Sequence, residues 1–360
     1  MKNKILKLYI IFLLIISFFN IIYFNKKLNS IFNILNISKK INKIYSILYD
    51  LSRENKLKIE CNKNDTEKKY KYNKNKGIYV CVQGKNENLY AGEFVEYYKS
   101  IGFDKIIILD NNEIVGEKFE TVLKDYIENK FVEIINIRDL ESIQIPSLNY
   151  CYQKYINNFD WILFIDFDEF LYNNNTKKID KYIYSRRFEK CESILFNTKT
   201  YDDNDLEKYD NRPLLKRFTR SINSNRCRIK TMVRGGINNL VIPNVHLSGI
   251  NIHFFCNSEG KRIFPRNLFG RGCLKNDNFF IKHFSSKSAE EFCMKIKRGD
   301  AHFNKMNPKY KFIMERRIIN FFSINKITKN KIKIIENCLN ISLDKLIKNK
   351  AIKRKLNNYI

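Results

Sequence analysis

Residues 161–170 read WILFIDFDEF, five apolar side chains in a row followed by Asp166, Phe167, Asp168 and Glu169. An unbroken apolar run of this length suits a strand covered on both faces, the habit of parallel sheets roofed by helices. Ligands of such sheets sit at the carboxyl ends of the strands. The run therefore predicts a central strand, and the acids behind it mark where chemistry is expected.

Working upstream, strands and helices alternate. Residues 78–82 (IYVCV) read as a strand, and 88–101 place Ala91, Phe94, Val95, Tyr98 and Ile101 on one helical face with Asn88 as N-cap. Residues 105–110 (KIIILD) form a second apolar strand that also ends in an acid, Asp110. A helix over 117–128, a strand over 131–137 and a helix over 146–158 opening on Pro146 complete the approach to Trp161. This alternation predicts an α/β fold whose sheet is parallel and covered on both faces.

Two carboxylates spaced as Asp166 and Asp168, at a strand end, can hold a hard divalent cation, Mn²⁺ or Mg²⁺, which in turn grips a diphosphate. Such an ion would neutralise charge growing on a departing phosphate oxygen. The turn QGKNEN brings Lys85, Asn86 and Glu87 to the same edge, and Asp110, Asn111 and Asn112 close the second strand, where they can read a base or ribose or simply shape the turn. No G-x-G-x-x-G and no G-x-x-x-x-G-K-[ST] occurs, so neither a Rossmann dinucleotide site nor a P-loop is supported. His283 stands where an apolar run meets a helix start, with Ser288 and Glu291 spaced as a capping box. It is a candidate third metal ligand or a structural residue. His246, His253 and His302 have no companions that elevate them.

Composition narrows the class. With 360 residues, 44% hydrophobic, 28 Phe and 21 Tyr, the chain can bury a large core and is not a disordered polymer. Its net charge of +28 is compatible with an anionic partner. Yet Lys, Asn, Ile, Tyr and Phe have AT-only codons, so a biased genome produces the same excess whatever the function. The nine cysteines never form C-x-x-C and are expected mostly reduced and buried, with neither a zinc knuckle nor a compact disulfide framework.

Residues 8–24 (LYIIFLLIISFFNIIYF) carry no charge and predict an uncleaved transmembrane signal anchor, about 25 Å long at 1.5 Å per residue. The expected organisation is an anchor segment over 1–25, a stem and polar linker over 26–77, a catalytic domain over 78–305 and a basic helical segment over 306–360. Lysines outnumber those before the helix on its far side, which points to a cytoplasmic domain. Nucleotide sugars, however, would be met in a bacterial cytoplasm or a eukaryotic Golgi lumen.

Four strings in order, KNENLYAGEFVEYYKSIGFDKIIILDNN (85–112), WILFIDFDEFL (161–171), YDDNDLEKYDNRPLLKRFT (201–219) and IKHFSSKSAEEFCMKIKRG (281–299), resemble glycosyltransferase family 92 and its bacterial family-2-like GT-A relatives. The resemblance spans roughly residues 78–305. It implies a GT-A sheet and inverting transfer of a sugar from a UDP- or GDP-sugar to a glycan or lipid-linked acceptor. Carried over, Lys85, Glu87 and Asp110 lie near the donor nucleotide, Asp166 and Asp168 hold metal and diphosphate, and His283 faces the metal. Arg217, Lys230 and Arg234 match basic positions facing the donor phosphates, and Asp203 is the candidate base. The chain departs from the family at Tyr201-Asp202, where a Gly is expected after the aromatic, and at Lys216, where an acid is expected before the Arg. Two rivals share parts of this pattern. A haloacid-dehalogenase-type phosphatase also places D-x-D after an apolar strand, but there the motif usually opens the domain. A basic membrane-tethered protein could hold nucleic acid or anionic lipid, although no nucleic-acid module is visible and no specific nucleic acid is expected.

Overall fold

A computed structural model of the chain describes residue 70 and residues 74–346, apart from 142, 174–177, 223–227, 239, 247–251, 253, 264–278, 300–309, 344 and 345. The expected anchor over 8–24 lies outside the described residues. Among the described residues no helix is long and apolar enough to cross a membrane.

The expected alternation is present: β1 (Ile78–Gly84), α1 (Asn88–Ser100), β2 (Lys105–Asp110), α2 (Phe119–Val122), α3 (Lys124–Glu128), β3 (Val132–Asn136), α4 (Gln144–Tyr155) and β4 (Trp161–Asp166). Downstream come β5 (Glu169–Asn173), α5 (Ile179–Ile183), β6 (Ser193–Thr200), α6 (Leu214–Arg217), β7 (Arg228–Arg234), β8 (Phe255–Asn257), β9 (Arg262–Ile263) and β10 (Phe279–His283). Three helices follow, α7 (Ala289–Arg298), α8 (Tyr310–Ile324) and α9 (Lys329–Leu339). Asn88 is the first helical residue rather than the cap. Its N–H donates to the Glu117 carboxylate at 3.0 Å, so a neighbouring loop supplies the acceptor that a cap side chain would have given.

The sheet as a whole is mixed: the parallel expectation holds for the strands on which it was read, β1 to β4, and does not extend to those downstream. Its order is β3-β2-β1-β4-β7-β6-β10-β5, with β8 and β9 attached beside β6. Strands β1 to β4 run parallel, whereas β7 opposes β4 and β6, and β5 opposes β10. All the later strands lie beyond β4, where the sequence has no regular alternation of strand and helix to announce their direction.

Chain length forces this sheet to curl. Strands β4 and β5 are joined by Phe167 and Asp168 alone, yet three strands separate them in the order. Flat, they would stand about 19 Å apart at about 4.8 Å per step, whereas three residue steps reach only about 11 Å. The sheet folds round until the Asp166 N–H donates to Glu169 Oε2 at 2.9 Å. That curl brings the carboxyl ends of β1, β2, β4, β6 and β10 and the amino ends of β5 and β7 to one edge. Gly84 closes β1 at this edge because a Cβ there would lie 2.5 Å from Phe119 and 2.6 Å from Phe167, whose rings stack beside it.

Helix α7 begins with the expected capping box, Ser288 accepting from the Glu291 N–H and Glu291 receiving the Ser288 N–H. Ala289, Phe292 and Ile296 pack with Met314, Ile318, Phe321 and Ile335 of α8 and α9 into a second core. The C-terminal helices are thus built onto the catalytic sheet through α7. Four cysteines correct the reduced-thiol expectation: Cys191 pairs with Cys256 and Cys293 with Cys338, while Cys81 and Cys151 stay free and buried. The partners lie 65 and 45 residues apart, so no local spacing advertises them.

Candidate active site

At the curled edge, β4 presents Asp166, its turn presents Asp168, and β5 opens with Glu169. Antiparallel β7 enters from the same side and threads Lys230 between them, its Nζ 2.8 Å from Asp166 and 2.7 Å from Glu169. Helix α7 lies across the turn and sets Lys295 Nζ 2.6 Å from Asp168. His283, the last residue of β10, is paired in register with Glu169, and its Nε2 stands 3.6 Å from Asp168 Oδ1.

A second ion cluster adjoins the first. Glu87, buried after β1, pairs with Arg298 and lies 3.8 Å from Lys287. Lys287 has the left-handed φ of 54°, rare for a residue with a side chain, and its ammonium sits 3.4 Å over the Tyr90 ring. Glu291, Lys295 and Arg298 are spaced i, i+4, i+7, so one face of α7 delivers charge to the site while the opposite face packs on α8 and α9.

Burial acts against every charge here, and partners decide the outcome. Burial alone would raise Asp168, but the charge and hydrogen bond of Lys295, with Lys287 beyond it, hold it well below the carboxylate range. Asp166 is likewise lowered, because Lys230 outweighs burial and the Asp168 charge. Burial, with Asp166 and Asp168 beside it, pushes Glu169 to about 7 against the pull of Lys230. For Lys230, burial favours the neutral amine, yet Asp166 and Glu169 raise it above the normal lysine value. Burial lowers His283 to about 4, leaving a neutral imidazole.

Among the described residues no three His, Cys, Asp or Glu side chains are arranged as they stand to hold a metal ion. An ammonium group sits instead on one oxygen of each aspartate, Lys230 on Asp166 Oδ2 and Lys295 on Asp168 Oδ2. The donor types nevertheless suit a divalent cation: two ionised carboxylates, and an imidazole kept neutral as a ligand must be.

The family profile of glycosyltransferase family 92 matches residues 76–335. The chain belongs to glycosyltransferase family 92. It is a glycosyltransferase, and the phosphatase and basic-tether readings fall away as its main activity. The match runs 30 residues beyond position 305, consistent with α8 and much of α9 being built onto the catalytic sheet. No curated protein matches the chain. Among solved structures it is similar to the mannosyltransferase PcManGT of Pyrobaculum calidifontis in complex with GDP-Man and Mn²⁺ (8% identity, TM-score 0.28). That alignment covers 45% of this chain and 45% of the other, so the chain spans under half the length of that enzyme. It is also similar to TarS 1–349 of S. aureus (11% identity, TM-score 0.34, 78% of this chain and 88% of that one). The same fragment with UDP-GlcNAc gives 10% identity and a TM-score of 0.32 over 78% and 80%.

Several expected site residues of this family 92 chain are placed elsewhere. Arg234 is at the opposite end of the sheet, paired with Trp161 at the start of β4. Because β7 is antiparallel, four residues beyond Lys230 carry the chain about 13 Å away from the acids. Arg217 is buried in a two-pronged pair with Glu291 (2.8 and 3.0 Å), which also accepts from Tyr90, and so braces α7 from behind. Asp203 is wholly buried, 2.6 Å from the equally buried Lys331 of α9, and burial raises its pKa. A carboxylate enclosed in this way cannot take a proton from an acceptor hydroxyl. Asp110 is enclosed too: Arg138 Nε donates to it at 2.7 Å and the Asn112 N–H at 3.0 Å, and burial raises it. Asn111 spends its amide on the Ile137 and Leu140 carbonyls, which locks the loop. Lys85 lies at the site edge, 3.5 Å from Glu113, with its carbonyl accepting from Arg298.

Sequence reading missed Lys287, Lys295 and Arg298, although all three lie in the quoted string 281–299. The signal for Lys295 and Arg298 was a charged i, i+4, i+7 stripe that starts at Glu291 behind a capping box; Lys287 stands just before that box. His246 was also passed over. Burial first, then the Lys230 and Arg228 charges, push it to about 3, and Asp166 and His283 act on it as well.

Proposed function

We propose that this glycosyltransferase moves a sugar from a UDP- or GDP-sugar to a glycan or lipid-linked acceptor, with inversion, on a GT-A-type sheet. The observation that carries the reading is the meeting of Asp166 and Asp168 with Lys230, Lys295 and His283 at the carboxyl edge of β4. A Mn²⁺ or Mg²⁺ ion held by Asp166, Asp168 and His283 would supply positive charge for the departing nucleoside diphosphate. Lys230 keeps Asp166 and Glu169 in register, and Glu169 positions Asp166 by accepting its N–H. Lys287, Lys295 and Arg298 add cations on the side where leaving-group charge would develop. The curl and the helix α7 above the turn reduce access of water to Asp168, so these charges act in a weakly screened setting. On this reading Asp203, buried against Lys331, is set aside as the base that takes the acceptor proton.

Residues 8–24 would anchor the enzyme to a membrane by a single span. The disulfides Cys191–Cys256 and Cys293–Cys338 support a catalytic domain on the oxidising side of that membrane, such as a Golgi lumen, over the cytoplasmic placement suggested by flanking lysines. Calorimetric titration of UDP, with GDP as control, into the full chain with and without Mn²⁺ tests the donor site. Metal-dependent nucleotide binding that disappears in Asp168→Asn is the expected result. A folded full chain that binds neither nucleotide with Mn²⁺ or Mg²⁺ would remove the donor-site assignment.

A further inference from the structure

We infer that Lys295 is a resident counter-cation at Asp168 whose displacement makes metal binding depend on the donor nucleotide. The inference rests on the metal-assisted reading above and adds an order of events to it.

Asp168 is 4% exposed, so its carboxylate needs a partner in the free enzyme. Lys295 provides it, with Nζ 2.6 Å from Oδ2 and a second hydrogen bond to the Ser285 carbonyl at 3.3 Å. A divalent ion reaching the same carboxylate, even on the Oδ1 that faces His283, meets the ammonium on Oδ2 at close range, and two cations on one desolvated carboxylate repel strongly. One of them must leave. Lys230 is not free to do so: its side chain is 1% exposed and bonded to Asp166 and Glu169 at once. The Lys295 side chain is 23% exposed, and it sits on a helix at the end of a flexible four-carbon stem.

Metal entering alone would break the Asp168–Lys295 pair and leave the ammonium without an anion. The nearby carboxylate, Glu87, already serves Arg298 and faces Lys287. A nucleoside diphosphate arriving with the metal brings negative charge that can receive the released ammonium. Metal and nucleotide therefore bind with positive coupling, and by linkage each tightens the other equally. Lys295 thus holds Asp168 for the loaded donor and disfavours idle occupation by metal.

Electron paramagnetic resonance of free Mn²⁺, titrated with the full chain, reads this without any turnover. In the natural protein, saturating UDP should tighten Mn²⁺ binding about tenfold or more. In Lys295→Met, Mn²⁺ without UDP should bind about tenfold tighter than in the natural protein, and the enhancement by UDP should shrink. Lys295→Arg, which keeps the charge, should retain the natural pattern. Lys295→Gln carries the same expectation as Lys295→Met should the latter not fold. If the natural protein shows UDP enhancement but the neutral variants bind Mn²⁺ alone no better than it does, the inference is overturned while the donor-site reading stands. If the natural protein takes up no Mn²⁺ even with UDP, the metal-assisted reading falls, and this one with it.

Discussion

At the amino end of β4, the Arg234 guanidinium lies 4.2 Å from the Trp161 ring and 4.4 Å from that of Tyr70, and donates to the Cys191 and Phe188 carbonyls. Beside it Asp160 accepts the N–H groups of Asn75, Lys76 and Gly77. At the carboxyl end of the same strand, Asp166 and Asp168 face ammonium groups borne by β7 and α7. Both ends bury charge, but the partners differ in kind. Main-chain dipoles belong to the scaffold and cannot be given up without unfolding it. Lysine side chains can be traded for a ligand of the same charge. The amino end is thus suited to stability and the carboxyl end to exchange with a substrate.

Four changes would break or sharpen that contrast. The largest effect is expected from Asp168→Asn, which should lower kcat/KM by about 100- to 1,000-fold in a protein that still folds. A collapse in stability instead would make the two ends alike. Arg234→Met should do the reverse, losing about 3 kcal/mol in denaturant unfolding through two carbonyl bonds and two ring contacts, with specific activity of the folded fraction unchanged.

Asp160→Asn should cost about 1–2 kcal/mol near neutral pH. Burial would raise the Asp160 pKa, but the N–H groups of Lys76, Asn75 and Gly77 and the Tyr184 hydroxyl outweigh it and hold it below 3.8. Its stabilisation is then complete above the unfolded value and lost as pH falls through the folded one. Unfolding measured from pH 6 down to pH 2 should show the variant's deficit vanishing in acid; a constant deficit would mean that ionisation is not what matters. The smallest change belongs to Lys85→Met. Its 3.5 Å pair with Glu113 is surface-exposed, so stability should move by less than about 0.5 kcal/mol, and any loss should appear in UDP affinity.

Legibility in the sequence followed the range of the signal. Strands β2 and β4 were readable to the residue because apolar runs ending in Asp110 and Asp166 are local, and the Ser288–Glu291 cap was readable for the same reason. Lys230 was recognised, but Arg234 was drawn to the site with it, because a string such as KTMVRGG does not show which way its strand runs. Asp203 looked available because its partner Lys331 is 128 residues away. The disulfides were hidden by separations of 65 and 45 residues.

The amino-acid sequence by itself determined the α/β alternation, the acidic strand end and the family, all of which rest on residues close together in the chain. The tertiary structure alone decided which charges meet. The two-residue link from β4 to β5 curls the sheet, the antiparallel run of β7 brings in Lys230 and carries Arg234 away, and the amphipathic packing of α7 on α8 and α9 turns Lys295 towards Asp168. Each depends on strand direction or helix facing, and these are set by packing across long separations.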